Sequence, residues 1–171
     1  MPLTITIPGT VRFQRCPDEH VHGCITIMVI MDLHAARAHL DLAKKQWGHA
    51  ATDWWEPADA ASCVTNAFYA YENLIVAVAE AQGRKWDPNH YKKSKLAAQL
   101  FADKILATDV SETILRLNNL RKDVSYGEPG DELATADLED IVSQLEEFID
   151  EVETMVDTLQ QEMEEEEVED E

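Results

Sequence analysis

Arg121 and Tyr126 stand five residues apart at the close of a stretch, Leu117 to Gly127, that begins as amphipathic helix and ends in turn chemistry. An arginine is always cationic, and its planar fork suits the oxygens of a phosphate. Leu115, Leu117, Leu120 and Val124 supply apolar positions at mixed helical spacing. Gly127 can take the left-handed conformation that closes a helix, with Pro129 two residues beyond. Arg121 is therefore expected near the last turn and Tyr126 at the end. Five helical residues are roughly 500° of rotation, so the two side chains do not share a stripe. They meet only if the helix frays there or a second subunit supplies one of them. Asn118, Lys122 and Ser125 lie in the same stretch and are the supporting polar groups. A phenol, with a pKa of about 10, is a poor general base at neutral pH, but it can donate a hydrogen bond or stack on a base.

The cations are unevenly spread. Of 14 Lys and Arg in 171 residues, nine fall in residues 84–122, against four Asp and Glu there. Residues 123–171 hold no Lys or Arg and 21 acids, and the whole chain carries a net charge of −20. Such a balance argues against non-specific nucleic-acid binding, which needs Lys and Arg to neutralise phosphate. Within the basic segment, Gly83 to Tyr91 reads as a loop mixing Arg84, Lys85, Trp86 and His90, a pattern that fits RNA contact or an ordinary exposed connection. His90 is the histidine nearest the basic cluster and the spare candidate for acid–base work. Lys92, Lys93 and Lys95 crowd the first turn of the next helix, where the helix dipole disfavours cations. They call for a partner, either the acidic C-terminal helix or a phosphate. Glu72, a carboxylate in a largely apolar helix, is positioned to hold Arg121 by a charge-assisted hydrogen bond, or is simply exposed.

Cys16, His20, His22 and Cys24 are the right ligand types for zinc, but the usual Cys-x2–4-Cys pair is absent, and the cluster reads as chance. No metal or cofactor is expected. Three cysteines do not make a disulfide framework. No run approaches the roughly 20 apolar residues of a membrane span, and no basic, apolar, cleavable leader opens the chain. A cytoplasmic protein without membrane association is the expectation. Phosphate-binding glycine loops, dinucleotide fingerprints, Ser-His-Asp orders and HExxH are not recognisable.

The elements that must position these residues read as all-α, an antiparallel bundle of four to five helices. Residues 1–30 are β-prone, with Leu3–Ile7 and Cys24–Ile30 as the strand-like runs. They read as an appended hairpin or as a leader before a true start at Met28 or Met31. Asp32–His49 is expected as the first helix, closed by Gly48. Ala58–Gln82 is the second, with so broad an apolar arc that it must be central or at an interface. Lys92–Leu106 is the third, and the fourth opens at Asp109 or Ser111. The fifth, Asp137–Gln160, repeats Leu138, Ile141, Leu145, Phe148, Val152, Met155 and Leu159 at helical spacing. Residues 31–160 form the bundle, and 161–171 are expected to be a disordered acidic tail.

Two of these stretches resemble the HEPN family of small all-helical proteins. That family's signature is an Arg, four residues, then a His, often followed by a small residue at the helix end. Here Arg121 fills the Arg position and Tyr126 the His position. The aromatic and Ala-rich run Asn66 to Leu74, continuing to Ala81-Gln82-Gly83, resembles the family's earlier helix. The resemblance covers roughly Met31 to Thr158. It implies a homodimer in which Arg and His of two subunits meet, and a metal-independent endoribonuclease that uses the RNA's own 2′-hydroxyl as nucleophile. With Tyr126 in the His place, the expectation is an RNA-binding protein with weak or lost nuclease activity. Arg121 and Tyr126 would form its site, with Arg84, Lys85, Lys92 and Lys93 as phosphate contacts. The alternative is a non-catalytic interaction module, such as a toxin–antitoxin or defence-system component. Its acidic C-terminal helix and tail would dock a basic or cognate partner protein, or mimic DNA.

Overall fold

The computed structural model describes residues 10–13, 28–53, 60–126 and 136–169. The fold is all-α, with a small hairpin in front. Strands β1 (Thr10–Phe13) and β2 (Met28–Met31) pair antiparallel, Thr10 opposite Met31 and Phe13 opposite Met28. Among the described residues five helices follow: α1 (Leu33–Asp53), α2 (Ala60–Ala81), α3 (His90–Ala102), α4 (Ser111–Tyr126) and α5 (Leu138–Glu169). The strand-like run Cys24–Ile30 contributes to β2, whereas Leu3–Ile7 and the Cys16–Cys24 cluster lie outside the described residues. Among the described residues no group of His, Cys, Asp or Glu could hold a metal ion. No helix among them is long and apolar enough to cross a membrane.

α2 is the central helix because its sequence leaves it no polar face over most of its length. Leu74 to Ala79 are six consecutive buried residues, and Val64, Ala67, Phe68, Ala70 and Tyr71 are buried before them. Only a helix surrounded by others can bury every side of itself, and α2 packs on α1, α3, α4 and α5. α1 runs antiparallel to it. The Asp32 amide bonds the Glu80 carbonyl at one end (3.0 Å), and Ser62 donates to Asp53 at the other (2.6 Å). α5 lies parallel to α2, with Tyr71 stacked on Phe148 and Gln82 reaching Met155. Burial and neighbouring Asp140 and Glu147 push the Tyr71 phenol well above its ordinary pKa.

Local chemistry sets the helix ends. Asp32 caps α1 through the Ala35 amide (2.8 Å), and Asp137 caps α5 through the Asp140 amide (3.0 Å). α2 ends in a Schellman turn. Arg84 N–H reaches the Ala79 carbonyl (2.7 Å), Gly83 N–H reaches that of Glu80 (3.1 Å), and Gly83 takes φ +60°. α3 ends in the same way, with Ile105 on Leu100 and Lys104 on Phe101, both 2.9 Å. There the left-handed residue, at φ +60°, is Lys104.

Four boundaries differ from the sequence expectation, and one is the start of α3, at His90 rather than Lys92, where the Asn89 side chain caps the helix. α1 does not stop at Gly48 but continues to Asp53. Gly48 faces open space, and Ala50, seven residues after Ala43 on the same face, is buried and holds the extra turn in place. α3 stops at Ala102 rather than Leu106, because Leu106 turns into the core and is buried. The acidic tail is not disordered from residue 161; α5 carries it in helix to Glu169. Extending an existing helix needs no new nucleus, and Glu is a good helix former.

The acidic helix also pairs elsewhere than expected. It pairs with α1, through Arg37 to Asp157 and Lys44 to Glu153. Glu151 accepts from the Ala107 amide and the Thr108 hydroxyl, both at 2.7 Å, in the α3–α4 connection.

Candidate functional site

The basic segment finds its partners close at hand. Arg84 pairs with Asp103 (2.6 Å), Lys92 with Asp87 (2.6 Å) and Lys93 with Glu72 (3.2 Å). The hydrogen bond from Lys92, with one from the Asn89 amide, holds the Asp87 carboxyl below its usual pKa. The crowded cations at the start of α3 are thus met by carboxylates from the preceding loop and from α2, not by α5.

Asn89 fixes the start of α3. Its side chain accepts from the Tyr91 and Lys92 amides, which makes His90 the first helical residue. Lys93 follows one turn later on the same side, so both reach the same point on α2. That point is Glu72, a carboxylate whose side chain is only 3% exposed. His90 Nδ1 lies 2.7 Å from Oε1 and 2.9 Å from Oε2, and Lys93 Nζ donates to Oε2. A buried carboxylate is costly unless paired and hydrogen-bonded, and these two donors supply both conditions. Lys93 also lies over the Trp86 ring, 5.8 Å from its centroid.

Arg121 comes from α4 to the same part of α2. Its Nη2 donates to Asn118 Oδ1 (3.1 Å), one turn earlier on α4, and its Nη1 lies 3.5 Å from the Tyr69 hydroxyl. The guanidinium sits 5.0 Å from the Phe68 ring centroid and 5.6 Å from that of Tyr69. Its Nε is buried without a hydrogen-bond partner. No carboxylate among the described residues pairs with it. His90 packs on the same two rings, at 5.2 Å from Phe68 and 6.5 Å from Tyr69. One aromatic pair on α2 therefore carries a cation from α4 on it and an imidazole from α3.

Glu72 does not hold Arg121, as the sequence suggested; it holds His90 and Lys93. Asn118 and the two rings steady Arg121 instead. Lys122 and Ser125 are exposed, as is Lys85. Tyr126 is the last residue of α4, and its side chain lies outside the described residues. Arg84 and Lys92 are engaged in their own ion pairs, away from Glu72. Phe68 and Tyr69 were missed as site residues. The available signal was spacing, since Tyr69 and Glu72 are three apart on α2, as Asn118 and Arg121 are on α4.

A polar network lies beside the cluster, between α1 and α2. His39 Nδ1 meets Asn73 Oδ1 (3.0 Å), and the Asn73 amide donates to Gln46 (2.9 Å). Trp86, edge-on to His39 at 6.0 Å, donates to Glu80 (2.7 Å). No protein-family model matches the sequence, and no curated protein matches it.

Proposed function

We propose that this chain is an HEPN-like RNA-binding protein related to metal-independent endoribonucleases, with Arg121 as its phosphate-binding group. The observation that carries the proposal is the state of Arg121. In a chain with 34 acids against 14 bases, this guanidinium has no carboxylate partner among the described residues. It lies against two aromatic rings, with Asn118 fixing one edge. Without a carboxylate partner among the described residues, this guanidinium is available to an external anion, and it suits a phosphate. The Arg-x4-Tyr spacing and the aromatic run on α2 carry the family resemblance, and with it the expectation of a homodimer. Tyr126, in the place of the family's His, is not suited to accept a proton at neutral pH.

The test is binding and cleavage of a mixed single-stranded RNA pool in EDTA, comparing the wild type with Arg121→Ala. Hydrogen bonds to charged groups are worth about 1.5–3 kcal/mol, so the variant should bind roughly 10- to 150-fold more weakly. Wild-type protein that neither binds nor cleaves RNA would refute the reading. The acidic outer face of α5, as a protein-docking surface, would then become the better account.

A further inference from the structure

We infer that His90, not Tyr126, carries the proton transfer of RNA cleavage at this site; the inference rests on the reading of Arg121 as the phosphate-binding group. Geometry supplies the argument. A carboxylate can only accept, so His90 must donate to Glu72 from Nδ1. In the neutral ring that puts the proton on Nδ1 and leaves the lone pair on Nε2, on the ring edge away from Glu72. The orienting carboxylate is 3% exposed and the imidazole 38% exposed, so the ring is held from inside and open on its other side. Lys93 anchors Glu72 from a second direction. The charged groups about His90 are thus Glu72 and Lys93 on one side and, across Phe68 and Tyr69, Arg121.

An RNA phosphate on Arg121 brings the adjoining ribose toward His90, because both side chains rest on the same two rings. The 2′-hydroxyl then gives its proton to Nε2 of His90. The bond from O2′ to phosphorus forms, and the bond from phosphorus to O5′ breaks. The departing O5′ takes a proton from water, and His90 releases its own to solvent. The products are a 2′,3′-cyclic phosphate and a 5′-hydroxyl, with every atom and charge accounted for. Arg121 stabilises the negative charge that grows on the phosphoryl oxygens. Glu72 is a positioning residue, fixing tautomer and ring angle.

The experiment measures cleavage and binding of the same RNA pool in EDTA by the wild type, His90→Ala and His90→Gln, with and without added imidazole. His90→Gln keeps a donor for Glu72 and guards against a folding defect. The expected result is RNA cleavage to cyclic-phosphate ends by the wild type. Loss of general acid–base catalysis should lower the rate about 10²- to 10⁴-fold in both His90 variants, with RNA binding retained. Imidazole should partly restore His90→Ala, which a merely structural role of His90 would not allow. Undiminished cleavage by the His90 variants, or loss without imidazole rescue, overturns the inference while leaving Arg121 as the phosphate site. A wild type that binds RNA without cutting it also overturns the inference alone. One that does neither overturns both.

Discussion

Removing Lys93 should reveal how much the fold depends on compensating one buried charge. Glu72 has a side chain 3% exposed and Lys93 one 13% exposed, with 3.2 Å between Nζ and Oε2. In Lys93→Met the carboxylate keeps, among the described residues, only His90 as a side-chain donor. Breaking a buried pair by deleting one partner costs about 3–5 kcal/mol. The partial exposure of Lys93 and the retained His90 bond favour the lower end, about 3 kcal/mol. For a chain of this size each kcal/mol moves the midpoint by about 2–4 °C, so Tm should fall by roughly 6–12 °C. The partner experiment is the double variant Glu72→Met/Lys93→Met. It removes both charges and fills the space with apolar atoms, and buried pairs replaced in this way are often neutral or better. His90 would lose its acceptor but is exposed enough to use water. The double variant should therefore be more stable than Lys93→Met alone. Urea melts with unchanged m-values would give both numbers. A Lys93→Met variant within about 0.5 kcal/mol of wild type, or a double variant no better than the single one, would refute the reasoning.

Four smaller perturbations follow from named positions. Gly48→Ala should stabilise by up to about 1 kcal/mol, since the site is helical with open space where the methyl would go; a lower Tm would show that α1 is not continuous through residue 48. Lys104→Gly should also stabilise, by about 1 kcal/mol, by relieving a left-handed non-glycine residue at φ +60°, and a thermal melt would show a loss if the Lys104 side chain mattered more than its backbone. Burial, with Asp53 nearby, pushes the Cys63 thiol from 9.0 up to about 11, so at pH 8 only about one molecule in a thousand carries its thiolate. Mass spectrometry should then find Cys63 unalkylated until the protein is unfolded. Because the folded pKa is the higher one, this contribution to stability is whole below pH 9 and is lost as pH rises through 9 toward about 11. Finally, added salt should raise Tm, because a net charge of −20 repels itself, whereas the half-exposed Arg37–Asp157 and Lys44–Glu153 pairs contribute about 0–1 kcal/mol each; a Tm that falls with salt would mean that the ion pairs dominate.

The all-α architecture was legible because periodicity reports burial directly. α2 has too many apolar residues for any outer position, and the stripe from Leu138 to Leu159 needs a partner surface. Boundaries were less legible because they turn on competing small terms. Gly48 looks like a stop, but a buried Ala50 two residues later outweighs a cost of about 1 kcal/mol for a helical glycine. Lys104 does not look like a stop, and nothing local marks it as the residue at positive φ. The turn is fixed by Ile105 and Leu106 reaching the core. The acidic run after Gln160 looks like a tail by composition, yet composition counts only repulsion. It omits the low cost of extending a helix already formed.

The site was legible as a list and not as a set of pairs. Arg121, His90, Glu72, Asn118 and Lys93 could each be picked out by type and by their place near the basic segment. Which one holds which depends on rotation about three helices and on where α3 begins, and a sequence does not state these. By type alone Glu72 could hold Arg121 or face solvent, and in the structure it does neither. The capping of α3 by Asn89 decides otherwise. It starts the helix at His90, puts Lys93 one turn on, and delivers both donors to Glu72 before Arg121 can reach it. Arg121 is then left to Asn118 and to the faces of Phe68 and Tyr69, contacts that attract a cation without neutralising it. The segregation of the two charges follows from that start point. Asn89→Ala, which removes the cap, should weaken the beginning of α3 by about 1 kcal/mol. It should also loosen the His90 contact with Glu72, seen as faster hydrogen exchange of the Tyr91 and Lys92 amides and a shifted His90 ring resonance. An unchanged His90 resonance in that variant would mean that Glu72, and not the helix start, sets the position of the ring.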